Sequence, residues 1–130
     1  YSSIQLMHRL MYGNWDNWTD RRHRQFGNAV MEGFSGSCIV STRNALNKAG
    51  TWDERIEAAD FDFYLRTKKR NLTFGDISPI HILLGVFFHH YGRLTAKRKD
   101  HLPYVDKKNI ITPEEKWGKE MEALLVDISR

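Results

Sequence analysis

The chain has 130 residues, 41% apolar and 28% charged, with a formal net charge of +4. That balance is the balance of one domain-sized unit with a buried core, and it excludes a disordered tail. The most apolar run, residues 80–88 (IHILLGVFF), is interrupted by His81 and falls well short of the roughly 20 residues of a membrane span.

The start, YSSIQLMHRL, lacks the charged end, apolar stretch and small-residue site of a secretory signal. A lone cysteine, Cys38, excludes an internal disulfide and fits a reducing compartment, so a cytoplasmic location is expected. Basic residues cluster at 21–24 (RRHR), 66–70 (RTKKR) and 97–99 (KRK). Such clusters suit nucleic acid, an anionic membrane surface or a phosphorylated ligand, or are simply solvated helix faces. No zinc-finger spacing, RNA-binding signature or helix-turn-helix accompanies them, so the case for nucleic acid is not strong.

In chain order, Ile4, Leu6, Met7, Leu10 and Met11 recur at helical spacing and predict an amphipathic helix over 3–12. Residues 13–20 (GNWDNWTD) are rich in turn-formers and predict a loop whose Trp15 and Trp18 pack on a neighbouring surface. A short helix over 21–33 is expected to end at Gly33, and the alternation of Phe34, Gly36, Cys38 and Val40 predicts a strand over 34–42. Thr42 and Gly50 bracket a helix with Ala45, Leu46 and Ala49 inward. After an irregular acidic link (51–59), residues 60–71 predict a helix with Asp60 as its cap and basic residues in its last turn. Residues 72–92 supply one or two strands broken near Pro79, residues 95–109 a polar linker or frayed helix, and residues 112–128 a final helix. In that helix Thr112 caps, Pro113 fills the first turn and Glu115 completes a capping box. The expected fold is a mixed α+β unit of the α/β class, with residues 1–130 forming a single unit of a few strands flanked by helices.

Three features could carry chemistry. Asp60 and Asp62 stand two apart, which on a helix points them about 200° from each other. Asp62 precedes Arg66 by four residues and reads as its ion-pair partner, whereas Asp60 at the helix start can cap the helix and face a cleft. His89 and His90 leave an apolar run at Gly92, where one of them could meet a metal or a phosphate, or act as a plain surface residue. The stretch 33–37 (GFSGS) permits close approach of a ligand but lacks the P-loop pattern.

Their order along the chain resembles the second half of a family 2 glycosyltransferase of the GT-A type. The resemblance covers residues 33–93 and rests on Gly36-Ser37-Cys38, Arg43, Gly50, Trp52-Asp53-Glu54, Asp60-Phe61-Asp62-Phe63, Arg66 and His89-His90. It implies transfer of a sugar from a nucleotide-diphosphate-sugar donor to a sugar or lipid-linked acceptor hydroxyl, as in polysaccharide biosynthesis. The enzyme would work in the cytoplasm or at the inner face of a membrane. Asp60 would be the general base of an inverting reaction, and Trp52, Asp53, Glu54 and Asp62 would lie on the acceptor side. Gly36, Ser37, His89, His90 and Arg93 would face the donor diphosphate, with His89 or His90 also touching a Mn2+ or Mg2+ ion.

The sequence departs from that pattern in two ways. Ala59 stands where the family has a Glu, and nothing upstream of residue 33 supplies the nucleotide-binding βαβ half with its Asp-x-Asp metal motif. The chain thus reads as the acceptor-side portion of a partial GT-A-like unit, expected to be inactive alone. An apolar face should be exposed for docking with the missing half or for self-association. The alternatives are a non-enzymatic basic module for nucleic acid or anionic membranes, and a metal-dependent hydrolase using the two aspartates and the histidine pair.

Overall fold

Helix starts in this chain are set by short polar side chains that accept otherwise unmatched backbone N–H groups. Asn14 accepts from the Asn17 N–H, Thr42 from Ala45 and Thr112 from Glu115. In the computed structural model, which describes residues 2–56, 58–89 and 109–125, these caps open three of six helices. The described elements run α1 (Ser2–Tyr12), α2 (Trp15–Phe26), β1 (Val30–Glu32), α3 (Arg43–Ala49), α4 (Ala59–Phe74), β2 (His81–Leu83), α5 (Pro113–Trp117) and α6 (Lys119–Leu125). The result is mixed α and β, mostly helical. Among the described residues the sheet is one pair, β1 with β2. Bonds from Leu84 N–H to the Ala29 carbonyl (2.9 Å) and from Gly33 N–H to the Ile80 carbonyl (3.1 Å) make the pair antiparallel. Among the described residues no helix is long and apolar enough to cross a membrane.

Where the sequence reads as one unit, the fold divides into two compact units, Tyr1–Met31 with Ile82–His89 and Glu32–His81 with His90–Arg130. In the first, α1 and α2 carry an aromatic cluster. Tyr12 meets Trp15 and Trp18 edge-on, each at 5.0 Å, and Phe87 meets Trp18 at 4.5 Å. The loop expected over 13–20 is confined to Gly13 and Asn14, because Asn14 acts as a cap and Asp16 complements the first turn of α2. The helix expected over 21–33 is the tail of α2. It stops at Gly27, whose φ of 52° disfavours any side chain-bearing residue, and Val30–Glu32 pair as a strand instead.

The second unit is built on α4. Phe63, Tyr64 and Leu65 are fully buried, and Tyr64 and Leu65 join Trp117 and Leu124 in a core against which Phe61, Ile80, Met121 and Leu125 pack. Each such large apolar side chain contributes about 1.5–3 kcal/mol by leaving water. Residues 34–42 do not form the expected strand. The chain turns at Gly36–Ser37 and runs irregularly to the Thr42 cap, with Phe34 stacked on Tyr64 at 5.6 Å.

Helix α4 begins one residue early and ends three residues late relative to the expected 60–71. Asp60 is not its cap: Ala58 occupies the cap position, with no side-chain bond. Nothing in Asn71–Phe74 interrupts the helix until Gly75 closes it in a left-handed conformation, so the basic residues lie before the last turn rather than in it. The capping box of Thr112 and Glu115 forms as read, but the helix over 112–128 is broken at Gly118, whose φ of 51° separates α5 from α6. Residues 72–92 supply one described strand, β2.

Candidate functional site

In the second unit, Gly36 and Asp60 meet. A Cβ on Gly36 would collide with the Asp60 carboxylate, so glycine lets the two meet with the Asp60 side chain as it stands. Asp60 sits in the first turn of α4, half-buried. Among the described residues no donor bonds its carboxylate and no cation pairs with it. Ser37 is exposed and its hydroxyl pairs with that of Ser35 at 2.9 Å.

Asp62 points elsewhere and is fully buried. Arg66 Nε donates to its Oδ2 (2.9 Å), Trp117 Nε1 donates to Oδ1 (2.9 Å), and Lys116 Nζ lies 2.8 Å from Oδ1. The i,i+4 pair with Arg66 is present as the spacing predicts. An acceptor-binding role for Asp62 is therefore corrected: both oxygens are engaged and withdrawn from solvent, so the side chain cannot meet an acceptor. Arg66 also donates through Nη1 to the Ala49 carbonyl and lies over the Phe63 ring at 5.2 Å.

The turn carrying Trp52, Asp53 and Glu54 is anchored to α4. The Trp52 ring stacks on Phe63 at 4.9 Å with 20° between planes, yet remains 43% exposed. Asp53 accepts from Arg55 Nε and Nη2 (3.0 and 2.8 Å) and from Lys116 Nζ (2.8 Å). The bonds from Arg55 and then Lys116 hold its carboxyl well below the usual carboxylate range. Glu54 is exposed.

His89 lies in the first unit, where Tyr12 Oη and His89 Nδ1 are 2.5 Å apart and the His8 ring stands 5.0 Å away. His90 and Arg93 lie outside the described residues. Among the described residues no three His, Cys, Asp or Glu side chains converge to hold a metal ion.

The four cations of 66–70 are all paired: Arg66 with Asp62, Lys68 with Glu32 (2.8 Å), Lys69 with Glu120 (2.8 Å) and Arg70 with Asp76 (2.8 Å). Of the 21–24 cluster, the Arg22 guanidinium lies over Phe26 at 4.9 Å and over Phe87 at 5.5 Å. Residues 97–99 lie outside the described residues. Lys68 is buried and meets Glu32, which also accepts from Tyr64 Oη at 2.7 Å. Burial alone would raise the Glu32 carboxyl, but hydrogen bonds from Lys68 and Tyr64 outweigh it and lower its pKa. Burial, then the bond to Glu32, pushes the Tyr64 hydroxyl above its ordinary 10.0.

Sequence reasoning missed Lys116, Trp117 and the Glu32–Lys68 pair. Their partners lie 55, 63 and 36 positions away (117 − 62, 116 − 53 and 68 − 32), and no local spacing encodes such contacts. Neither family models, curated proteins nor solved structures give a match to this chain.

Proposed function

We propose that this chain is the acceptor-side part of a GT-A-like, nucleotide-sugar-dependent glycosyltransferase, with Asp60 as its general base. The observation that carries the reading is the half-buried Asp60 carboxylate, unpartnered among the described residues and laid against the backbone at Gly36. A base needs a free oxygen lone pair on a fixed element, and this position supplies both. The acceptor hydroxyl passes its proton to Asp60 as its oxygen bonds to the anomeric carbon. The bond from that carbon to the nucleoside diphosphate breaks with its electron pair on the leaving group, and the configuration inverts. Trp52 and Glu54 stand beside the acceptor, while Asp62 and Arg66 fix α4 from behind. The donor half lies outside this chain, and exposed apolar side chains such as Val40 and Phe74 suit docking with it.

Calorimetry with uridine- and guanosine-diphosphate sugars tests the reading. The chain joined to a nucleotide-binding half should bind at least one donor. Absence of heat across that panel would remove the reading's main consequence.

A further inference from the structure

We infer that Lys116 is a positioning residue for the Trp52–Asp53–Glu54 turn, its ammonium group bridging the Asp53 carboxylate of the turn and the buried Asp62 carboxylate of α4. Describing that turn as acceptor-side rests on the proposed function; the bridge itself does not.

Lys116 Nζ lies 2.8 Å from Asp53 Oδ2 and 2.8 Å from Asp62 Oδ1. One cation between two carboxylates relieves their mutual repulsion and ties the pieces that carry them. The other groups facing Asp53 are the side chain and N–H of Arg55, which belong to the same turn and move with it. Those facing Asp62 are Arg66, on its own helix, Trp117 and, at longer range, the Arg55 guanidinium of the turn. Lys116 is thus the cation in direct contact with both carboxylates, and Arg55 adds a weaker attraction of the turn to Asp62. The segment before α5 reinforces it, since the Ile111 N–H donates to the Arg55 carbonyl at 3.0 Å.

The capping box explains why Lys116 is available. Thr112, Pro113 and Glu115 fix the start of α5, and the helix then delivers Lys116 and Trp117 together to Asp62. The result matters for Asp60. Trp52 is stacked on Phe63, and Phe63 follows Asp60 by three residues on α4, which places them as neighbours roughly 5–6 Å apart at Cβ. A turn released from Lys116 would let Trp52 and Glu54 shift against Asp60, and small displacements of that kind erode catalysis.

The test uses this chain and follows the protection of the Ile56 amide, which closes the turn onto the Asp53 carbonyl at 3.3 Å. Lys116→Met should lower that protection roughly tenfold, as for loss of one partly buried ion pair. Lys116→Arg should restore it. In wild type, protection should persist as pH falls below 3.8, the ordinary Asp value; in Lys116→Met it should fail at higher pH, because Arg55 alone then holds Asp53. Asp53→Asn leaves the Lys116–Asp62 contact in place but weakens the Arg55 pair as well, so it should loosen the turn at least as much, and adding Lys116→Met to it should cost less than Lys116→Met costs alone. Unchanged Ile56 protection in both single variants, additive losses in the double variant, or failure of Lys116→Arg to rescue would overturn the inference. If Lys116→Met does not fold, Lys116→Gln, which keeps a hydrogen-bond donor without the charge, replaces it with the same expected loss and the same overturning result. Failure of the transferase reading would show as absent donor binding by the wild-type chain joined to a nucleotide-binding half, which none of these measurements touches.

Discussion

The Asp60 carboxylate rests against Gly36 so closely that a methyl group on Gly36 would occupy the same space. Gly36→Ala should therefore displace Asp60 or the 33–37 backbone, at about 0.5–1.5 kcal/mol for pushing the Asp60 side chain off its rotamer beside an exposed loop. Under the proposed function it should also cut sugar transfer by about 10²-fold through misplacement of the base. Urea unfolding and a transfer assay measure the two effects. Wild-type behaviour in both would mean that the contact is slack.

Asp62 is the buried counter-charge of α4. Asp62→Asn should cost about 3–5 kcal/mol, because Arg66 and Lys116 lose their shared carboxylate in a place sealed from water. Denaturant midpoints measure it. A change within about 0.5 kcal/mol would place Asp62 among ordinary surface positions.

Thr112 opens the helix that carries Lys116 and Trp117. Thr112→Ala removes the half of the capping box in which the Thr112 hydroxyl accepts from the Glu115 N–H and keeps the backbone N–H that donates to Glu115, with an expected loss of about 1 kcal/mol. The same substitution should reduce Ile56 protection, because α5 frays; a loss of stability without that local effect would separate the cap from the turn.

Stability should fall at both ends of the pH scale. The folded pKa values of Asp53, Asp76 and Glu32 lie below their ordinary values. The stability they confer is present above pH 3.8 for Asp and 4.5 for Glu, and is lost as pH falls through the lower folded values. The folded pKa of Tyr64 lies above 10.0, so its contribution is present below that pH and is lost as pH rises through the higher folded value. Tyr64→Phe should flatten the alkaline limb and weaken the part of the acid limb that Glu32 carries, leaving that of Asp53 and Asp76 in place, as followed by thermal unfolding across pH.

What the sequence made legible was local. The Thr42–Gly50 helix, the Thr112–Glu115 capping box and the Asp62–Arg66 pair each depend on residues within eight positions, and each forms as read. From β1 onward the described elements run strand, two helices, strand and two helices, but the first strand is Val30–Glu32 and not the expected 34–42. The strand over 34–42 failed because alternation does not supply a partner, and β2 pairs with Val30–Glu32. The capping role of Asp60 failed because α4 starts one residue earlier, which frees the side chain to face Gly36. The burial of Asp62 beneath Trp117 and Lys116 could not be read at all, since it depends on a helix that begins 51 positions later (113 − 62).

The measurement that bears most directly on Asp60 as a base is sugar transfer by Asp60→Asn, in the chain joined to a nucleotide-binding half, beside calorimetric donor binding. The amide keeps the shape and cannot take the proton. Transfer should fall by about 10²–10⁴-fold with donor affinity preserved. Transfer at the wild-type rate would contradict the assignment.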